Sequence, residues 1–251
     1  MDLDAFLKLL TPRGQKALDE AVEIVTTGTD PVAAATALRR TYDPVITSAA
    51  LTQAGLRSRA TSKFGPGAAM MYFTPQGLEQ ASRLEVASHR ASRVAADGAP
   101  VADVCCGIGG DLIALAARGR AVDAVDVDPL TTAVAQANAD ALGLSRVRIR
   151  AADASTIDPG GYDLVFADPA RRRTGGGVAR RVFDPMAYSP PWPRVMELLG
   201  RARAGCVKAA PGLPYEFVPD GAEAEWVSFR GEVKEAAIWL SRPAGPTRGF
   251  S

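Results

Sequence analysis

A chain of 251 residues, 47% hydrophobic and 23% charged, has the composition of a globular protein that can bury a full core, as one large domain or as a domain with an appendage. A formal net charge of +1 excludes the general excess of base expected of a bulk nucleic-acid binder, and no apolar run is long enough to span a bilayer. Three cysteines, two of them adjacent, exclude a disulfide framework and a zinc spacing; the single histidine, His89, excludes a histidine acid and base pair, so no metal is expected.

The opening MDLDAFLKLLTPRG carries Asp2 and Asp4 where a signal peptide would be basic, which makes the cytoplasm the expected location. To about residue 72 the pattern is helical. Asp30 before Pro31 and Asp43 before Pro44 each pair a capping side chain with a first-turn proline, ahead of a helix-forming run. Lys63 to Thr74, KFGPGAAMMYFT, holds two glycines and a proline before an apolar patch and reads as a linker with room for a short strand. Core packing is the expected role of Tyr72, Phe73 and Thr74, and residues 1–74 are expected to form a helical N-terminal domain. Ser82 and Glu85 then stand as a capping box in SRLE, starting a helix that ends by Gly98.

From Val101 the pattern alternates: strand 101–106, helix 110–118, strand 121–126, helix 129–142, and strands at 146–151 and 162–167. Asp128 before Pro129 caps the second of these helices. Such alternation builds a parallel sheet with helices on both faces, and ligands gather at the carboxyl ends of its strands. A strand at 204–209 precedes two runs, AEAEWVSF and EVKEAAIWLS, joined by Arg230 and Gly231. So short a join makes the two strands antiparallel, because a parallel connection needs a long crossover. The tail, 244–251, is expected to be flexible.

The chemistry centres on VADVCCGIGGD, Val101 to Asp111, where an apolar strand breaks into Gly107, Gly109 and Gly110 and a helical pattern restarts. The glycines remove side chains where a ligand must approach the backbone, and the first amides of the helix can face a polar ligand. Acidic residues recur near the ends of the later strands: Asp126 in AVDAVDVDP, Asp153 in IRAADAS and Asp168 in LVFADPARR. A dinucleotide site is the competitor, but GxGxxG would put its third glycine at position 112, which is Leu112. Asp103, inside the first strand, suits a ligand bearing an ammonium group better than a pyrophosphate.

These words in this order resemble the class I S-adenosylmethionine-dependent methyltransferases over roughly residues 75 to 241. DxCCGIGGD, VDVDP and DPARR, preceded by LEQASRLEVASHRA, are most similar to bacterial methyltransferases with a THUMP-like domain, and more distantly to trimethylguanosine synthase and other RNA methyltransferases. The resemblance implies an α/β fold: a Rossmann-like sheet, mostly parallel with a terminal antiparallel hairpin, over residues 75–243. It implies S-adenosyl-L-methionine as cofactor and RNA as partner, the alternatives being a methyltransferase for a small molecule or protein, or a module that binds cofactor or RNA without catalysis. Asp103, Cys105, Gly107 and Gly109 would hold the methionine part, Asp126 and Val127 the ribose, and Asp153 and Ala154 the adenine. Asp168 and Pro169 would face the methyl group as the catalytic motif.

That motif departs from the family pattern of base amino-group enzymes, in which a second proline and a stacking aromatic follow. Here Ala170 and Arg171 stand in their place, and an arginine plane can stack on a base. The SPPW stretch, Ser189 to Trp192, reads as a proline-started helix with a half-buried Trp192. Cys105, Cys106 and Cys206 read as small packing residues, not nucleophiles. Lys208 and Pro211 end the fifth strand and border the expected target pocket. Arg171, Arg172, Arg173, Arg180 and Arg181 crowd one glycine-bearing stretch directly after the Asp168 motif, where they are candidates for phosphate contact.

Overall fold

The structure, a computed structural model, describes residues 1–95, 98–170 and 184–241, together with the backbone of 172–173 and 180–181. In chain order its elements are α1 (Leu3–Leu9), α2 (Pro12–Thr26), α3 (Pro31–Leu38), α4 (Pro44–Phe64), α5 (Pro75–Gln80), α6 (Leu84–Ser92), β1 (Val101–Val104), α7 (Gly110–Ala117), β2 (Val122–Asp126) and α8 (Pro129–Ala141). There follow β3 (Val147–Ala151), β4 (Leu164–Ala167), β5 (Arg172–Arg173), β6 (Arg180–Arg181), α9 (Trp192–Gly200), β7 (Ala204–Ala209), β8 (Glu223–Phe229) and β9 (Glu232–Ser241). The tail expected to be flexible, 244–251, lies outside the described residues.

The chain divides into two compact units, the first made of Met1–Leu84, Gly107–Gly110 and Asp128–Ser145. Its helices start where capping chemistry dictates. At α2 to α5 a proline opens the first turn while the side chain of Thr11, Asp30, Asp43 or Thr74 accepts a hydrogen bond from an amide of that turn. Phe6, Leu9, Leu18 and Leu38 are buried within it. The short strand that Lys63 to Thr74 left room for is not formed. Instead α4 runs through Lys63 to Phe64, a 3-10 turn takes Gly65–Ala69, and side-chain amides occupy the ladder positions of the following residues. Gln53 bonds both the N–H and the carbonyl of Phe73, at 3.0 and 2.6 Å, and Asn138 does the same for Tyr72 at 2.6 and 3.0 Å. Tyr72, Phe73 and Thr74 are thereby buried.

The second unit, Glu85–Cys106, Asp111–Val127 and Arg146–Ser251, carries a seven-stranded sheet in the order β3-β2-β1-β4-β7-β9-β8. The strands from β3 to β7 are parallel; β9 runs antiparallel to β7 and to β8. The β8–β9 turn uses Arg230 and Gly231 at φ +51° and +80°, the two left-handed residues that a tight hairpin requires. Side-chain alternation splits the sheet into two faces. Ala102, Val104, Val165, Ala167, Val207 and Ile238 meet Trp192, Val195 and Leu199 of α9 in one core. Gly205 lets α9 come close, since a Cβ there would lie 2.9 Å from Leu199 Cβ.

The opposite face holds Phe166 and, above it, an ionic group. The guanidinium of Arg90, on α6, lies 5.4 Å from the Phe166 ring centroid and is ion-paired to both Asp111 and Glu235. All three side chains are buried. Burial pulls the Arg90 guanidinium down, but Asp111 outweighs it and the net direction is up.

Candidate functional site

Parallel register brings the carboxyl ends of β1, β2 and β4 level: Val104 pairs with Val125 on one side and with Ala167 on the other, and Ala167 pairs in turn with Val207. One step further along each strand stand Cys105, Asp126, Asp168 and Lys208. Asp103 lies a step inside β1, and Asp153 follows β3.

Asp103 is 0% exposed, and both of its carboxylate oxygens are buried without a hydrogen-bond partner among the described residues. Burial, with Asp111 and Asp168 adding repulsion, pushes its carboxyl well above the usual range, against the pull of Lys208. Such a carboxyl fits a cation: an ammonium against it would supply both donors and opposite charge. The chain beside it is shaped for close approach. Cys105 takes φ +61°, a left-handed conformation rare for a residue with a side chain. Gly107 and Gly109, in the stretch that groups with the first unit, take φ +55° and +91°.

Asp126 closes β2, its carbonyl accepting the Ala152 amide at 2.9 Å, and Val127 is 66% exposed. Asp153 is exposed and caps a short 3-10 turn, Ala154–Thr156; hydrogen bonds from the Ser155 hydroxyl and from the Ser155 amide, the latter 2.9 Å from Oδ1, hold its carboxyl below the usual range. One carboxylate oxygen of Asp153 is therefore committed to the chain itself. Asp168 is half-buried, Pro169 is buried, and the Asp168 carboxylate is ion-paired to Lys208. Asp128 caps α8, its Oδ1 accepting the Leu130 amide at 3.0 Å and its Oδ2 the Thr131 hydroxyl at 2.6 Å.

Two neighbours of the motif were out of reach of sequence spacing. Ala170 and Ser189 exchange backbone hydrogen bonds at 2.9 and 3.0 Å, so the SPPW stretch lies directly beside the Asp168 motif. Trp192, expected to be half-buried, is 5% exposed, packed edge-on against Tyr188 and Phe217 at 6.4 and 6.3 Å. The pairing of Lys208 with Asp168 was equally hidden, although a lysine inside the apolar run GCVKAA was its one visible sign.

The three cysteines carry free thiols. Burial pushes those of Cys105, Cys106 and Cys206 up, and nearby carboxylates push the first two further. His89 bonds Glu225 at 2.5 Å. No group of three or more metal-ligating side chains occurs among the described residues, nor any helix long and apolar enough to cross a membrane. Arg171 and the side chains of Arg172, Arg173, Arg180 and Arg181 lie outside the described residues; the backbone of β5 pairs antiparallel with β6, Arg172 opposite Arg181 and Arg173 opposite Arg180.

Comparison with known proteins finds two family models along the chain. A family model described as a methyltransferase domain matches residues 101–172, and one described as a domain of unknown function matches residues 2–60. Two curated relatives, from two strains of Mycobacterium tuberculosis and each described as an uncharacterized S-adenosylmethionine-dependent methyltransferase, are 39% identical over 202 residues. The match covers 76% of this chain and 53% of the relative, so the chain spans about half the length of the curated relatives it matches. The crystal structure of a candidate methyltransferase from Porphyromonas gingivalis W83 superposes with a TM-score of 0.70 at 20% identity, covering 98% of this chain and 60% of that one. At that identity the likeness establishes the fold.

Proposed function

This chain carries a class I S-adenosylmethionine-dependent methyltransferase domain, and from that premise we propose that it methylates RNA, at a base nitrogen of tRNA or rRNA. The observation that carries the reading is the buried Asp103 carboxylate with its unsatisfied oxygens, which fits the ammonium of a methionine-derived cofactor. Asp126 would receive the ribose hydroxyls, and Asp153, through its remaining oxygen, would lie beside the adenine. When bound, S-adenosyl-L-methionine supplies a methyl group activated by the adjacent sulfonium.

The protein's own part is alignment. Methyl transfer needs the nucleophile held in line behind the methyl group, and most of the gain comes from that positioning. Asp168 would accept a hydrogen bond from the attacking amine, at the end of β4, while the buried Pro169 stiffens the turn. RNA as the substrate is supported by the likeness of the motif words to RNA methyltransferases and by the five arginines that follow Asp168 in sequence.

The deciding experiment incubates the protein with methyl-labelled S-adenosylmethionine and total RNA from cells lacking the enzyme, then identifies the labelled nucleoside. Label in protein or in small molecules, with none in RNA, would replace the substrate and keep the reaction.

Two variants separate the halves of the proposal. Asp126→Ala is expected to weaken S-adenosylhomocysteine binding by about 1.5–3 kcal/mol, the loss of hydrogen bonds to a charged group. Unchanged affinity by calorimetry in a folded variant would remove Asp126 from the site. Replacing Arg171, Arg172, Arg173, Arg180 and Arg181 together by glutamine is expected to weaken RNA binding and flatten its salt dependence, by about 0.7 in log–log slope per lost phosphate contact, with cofactor affinity unchanged. An identical slope in variant and wild type would count against phosphate contact by this stretch.

A further inference from the structure

The lysine at position 208 is out of place for a strand that only needs to pack. Its neighbours Cys206, Val207, Ala209 and Ala210 are apolar and buried, and Lys208 itself is 2% exposed, among the largest fully buried side chains of the protein. An ammonium so placed must be paired, and its partner is the Asp168 carboxylate. Register explains the meeting: Ala167 pairs with Val207, so Asp168, the first residue past β4, comes level with Lys208, which is still within β7 and pairs with Ala237 of β9. The fold does not demand the pair, because a buried ion pair can often be exchanged for apolar side chains of similar size without loss of stability.

Lys208 also brings positive charge to a place where carboxylates gather. Asp103, Asp126 and Asp168 all stand there, with Asp111 close to Asp103, and Asp103 itself feels Asp168 as repulsion and Lys208 as relief.

We propose that Lys208 is a positioning residue for the methyl-transfer site: its buried ammonium fixes the Asp168 carboxylate in orientation, turned to the amine of the incoming base. The ammonium touches neither substrate nor cofactor in this role. It acts through Asp168, as a clamp on the group that aligns the nucleophile. Lysine suits the task because its ammonium is a compact charge on an apolar stem, which can lie among the strand's alanines and valines while the head reaches the carboxylate.

The test uses the full chain with Lys208→Met, which keeps length and removes charge and donor, and Lys208→Gln, a second uncharged variant in case the first does not fold. Each is expected to lower kcat on the order of tenfold to a hundredfold, the scale of a misplaced reacting group, with the KM for cofactor and for RNA within about twofold. Because Lys208 works through Asp168, adding either change to Asp168→Asn is expected to cost nothing further in kcat. A folded Lys208 variant with wild-type kcat, a loss confined to KM, or losses that multiply in the double variant each overturn the proposal. The inference rests on the methyltransferase reading given above. Wild-type protein that neither binds S-adenosylhomocysteine nor transfers label removes both, whereas wild-type turnover matched by the Lys208 variants removes this one alone.

Discussion

Asp168→Ala is expected to lower the methylation rate by about two to four orders of magnitude while leaving S-adenosylhomocysteine affinity close to that of the wild type. The reasoning lies in where the residue stands. It is the first residue past β4, half-buried and ion-paired to Lys208, whereas the groups proposed to hold the cofactor, Asp103 and Asp126, belong to β1 and β2. An acceptor that meets only the attacking amine contributes to alignment in the transition state and little to cofactor binding, so its removal should appear in kcat. Single-turnover transfer from labelled cofactor, paired with calorimetry, reads the two quantities separately. A fully active variant would take Asp168 out of the mechanism, and a parallel collapse of affinity would make it a cofactor ligand instead.

Arg90→Ala is expected to destabilise the fold by about 3–5 kcal/mol, the penalty for leaving buried charge without its partner. Two carboxylates depend on that guanidinium, Asp111 at the start of α7 and Glu235 on β9, and all three groups are sequestered from water. Urea unfolding should show a lower midpoint at an unchanged slope. Replacing all three residues together by apolar side chains of similar volume should restore most of the loss, since the cost belongs to the orphaned charges and not to the absence of a salt bridge. A loss below about 1 kcal/mol for Arg90→Ala would mean that water reaches the cluster.

The sheet was legible because its signals are local. Apolar runs bounded by glycine or proline mark β1, β2 and β4, and the two-residue join at Arg230 and Gly231 forces the hairpin. Asp30, Asp43 and Asp128 announced their helices through the proline that follows each. The stretch from Lys63 to Thr74 misled because its apolar patch is satisfied by Gln53 and Asn138, amides distant in sequence that no periodicity reveals. The helix α5 was missed as well; six residues are too few to show a period, and its Thr74 cap sat inside what read as linker. At the site, acids near strand ends could be picked out singly. Their relations could not, since the pairing of Lys208 with Asp168 and the bridge from Ala170 to Ser189 depend on strand order and register.

The buried Asp103 carboxylate also says something about selection on this chain. A side chain held without donors in the protein interior weakens the ligand-free fold, and Asp103→Asn, or an apolar residue there, would ease that burden. The position thus sets robustness against recognition: a change that made the empty protein hardier would blunt its grip on a cationic ligand. Like any ligand that binds only the folded state, such a cation would add about 2.7 kcal/mol of stability at a hundred times its Kd. A protein arranged this way is at its sturdiest when it is loaded and ready to work.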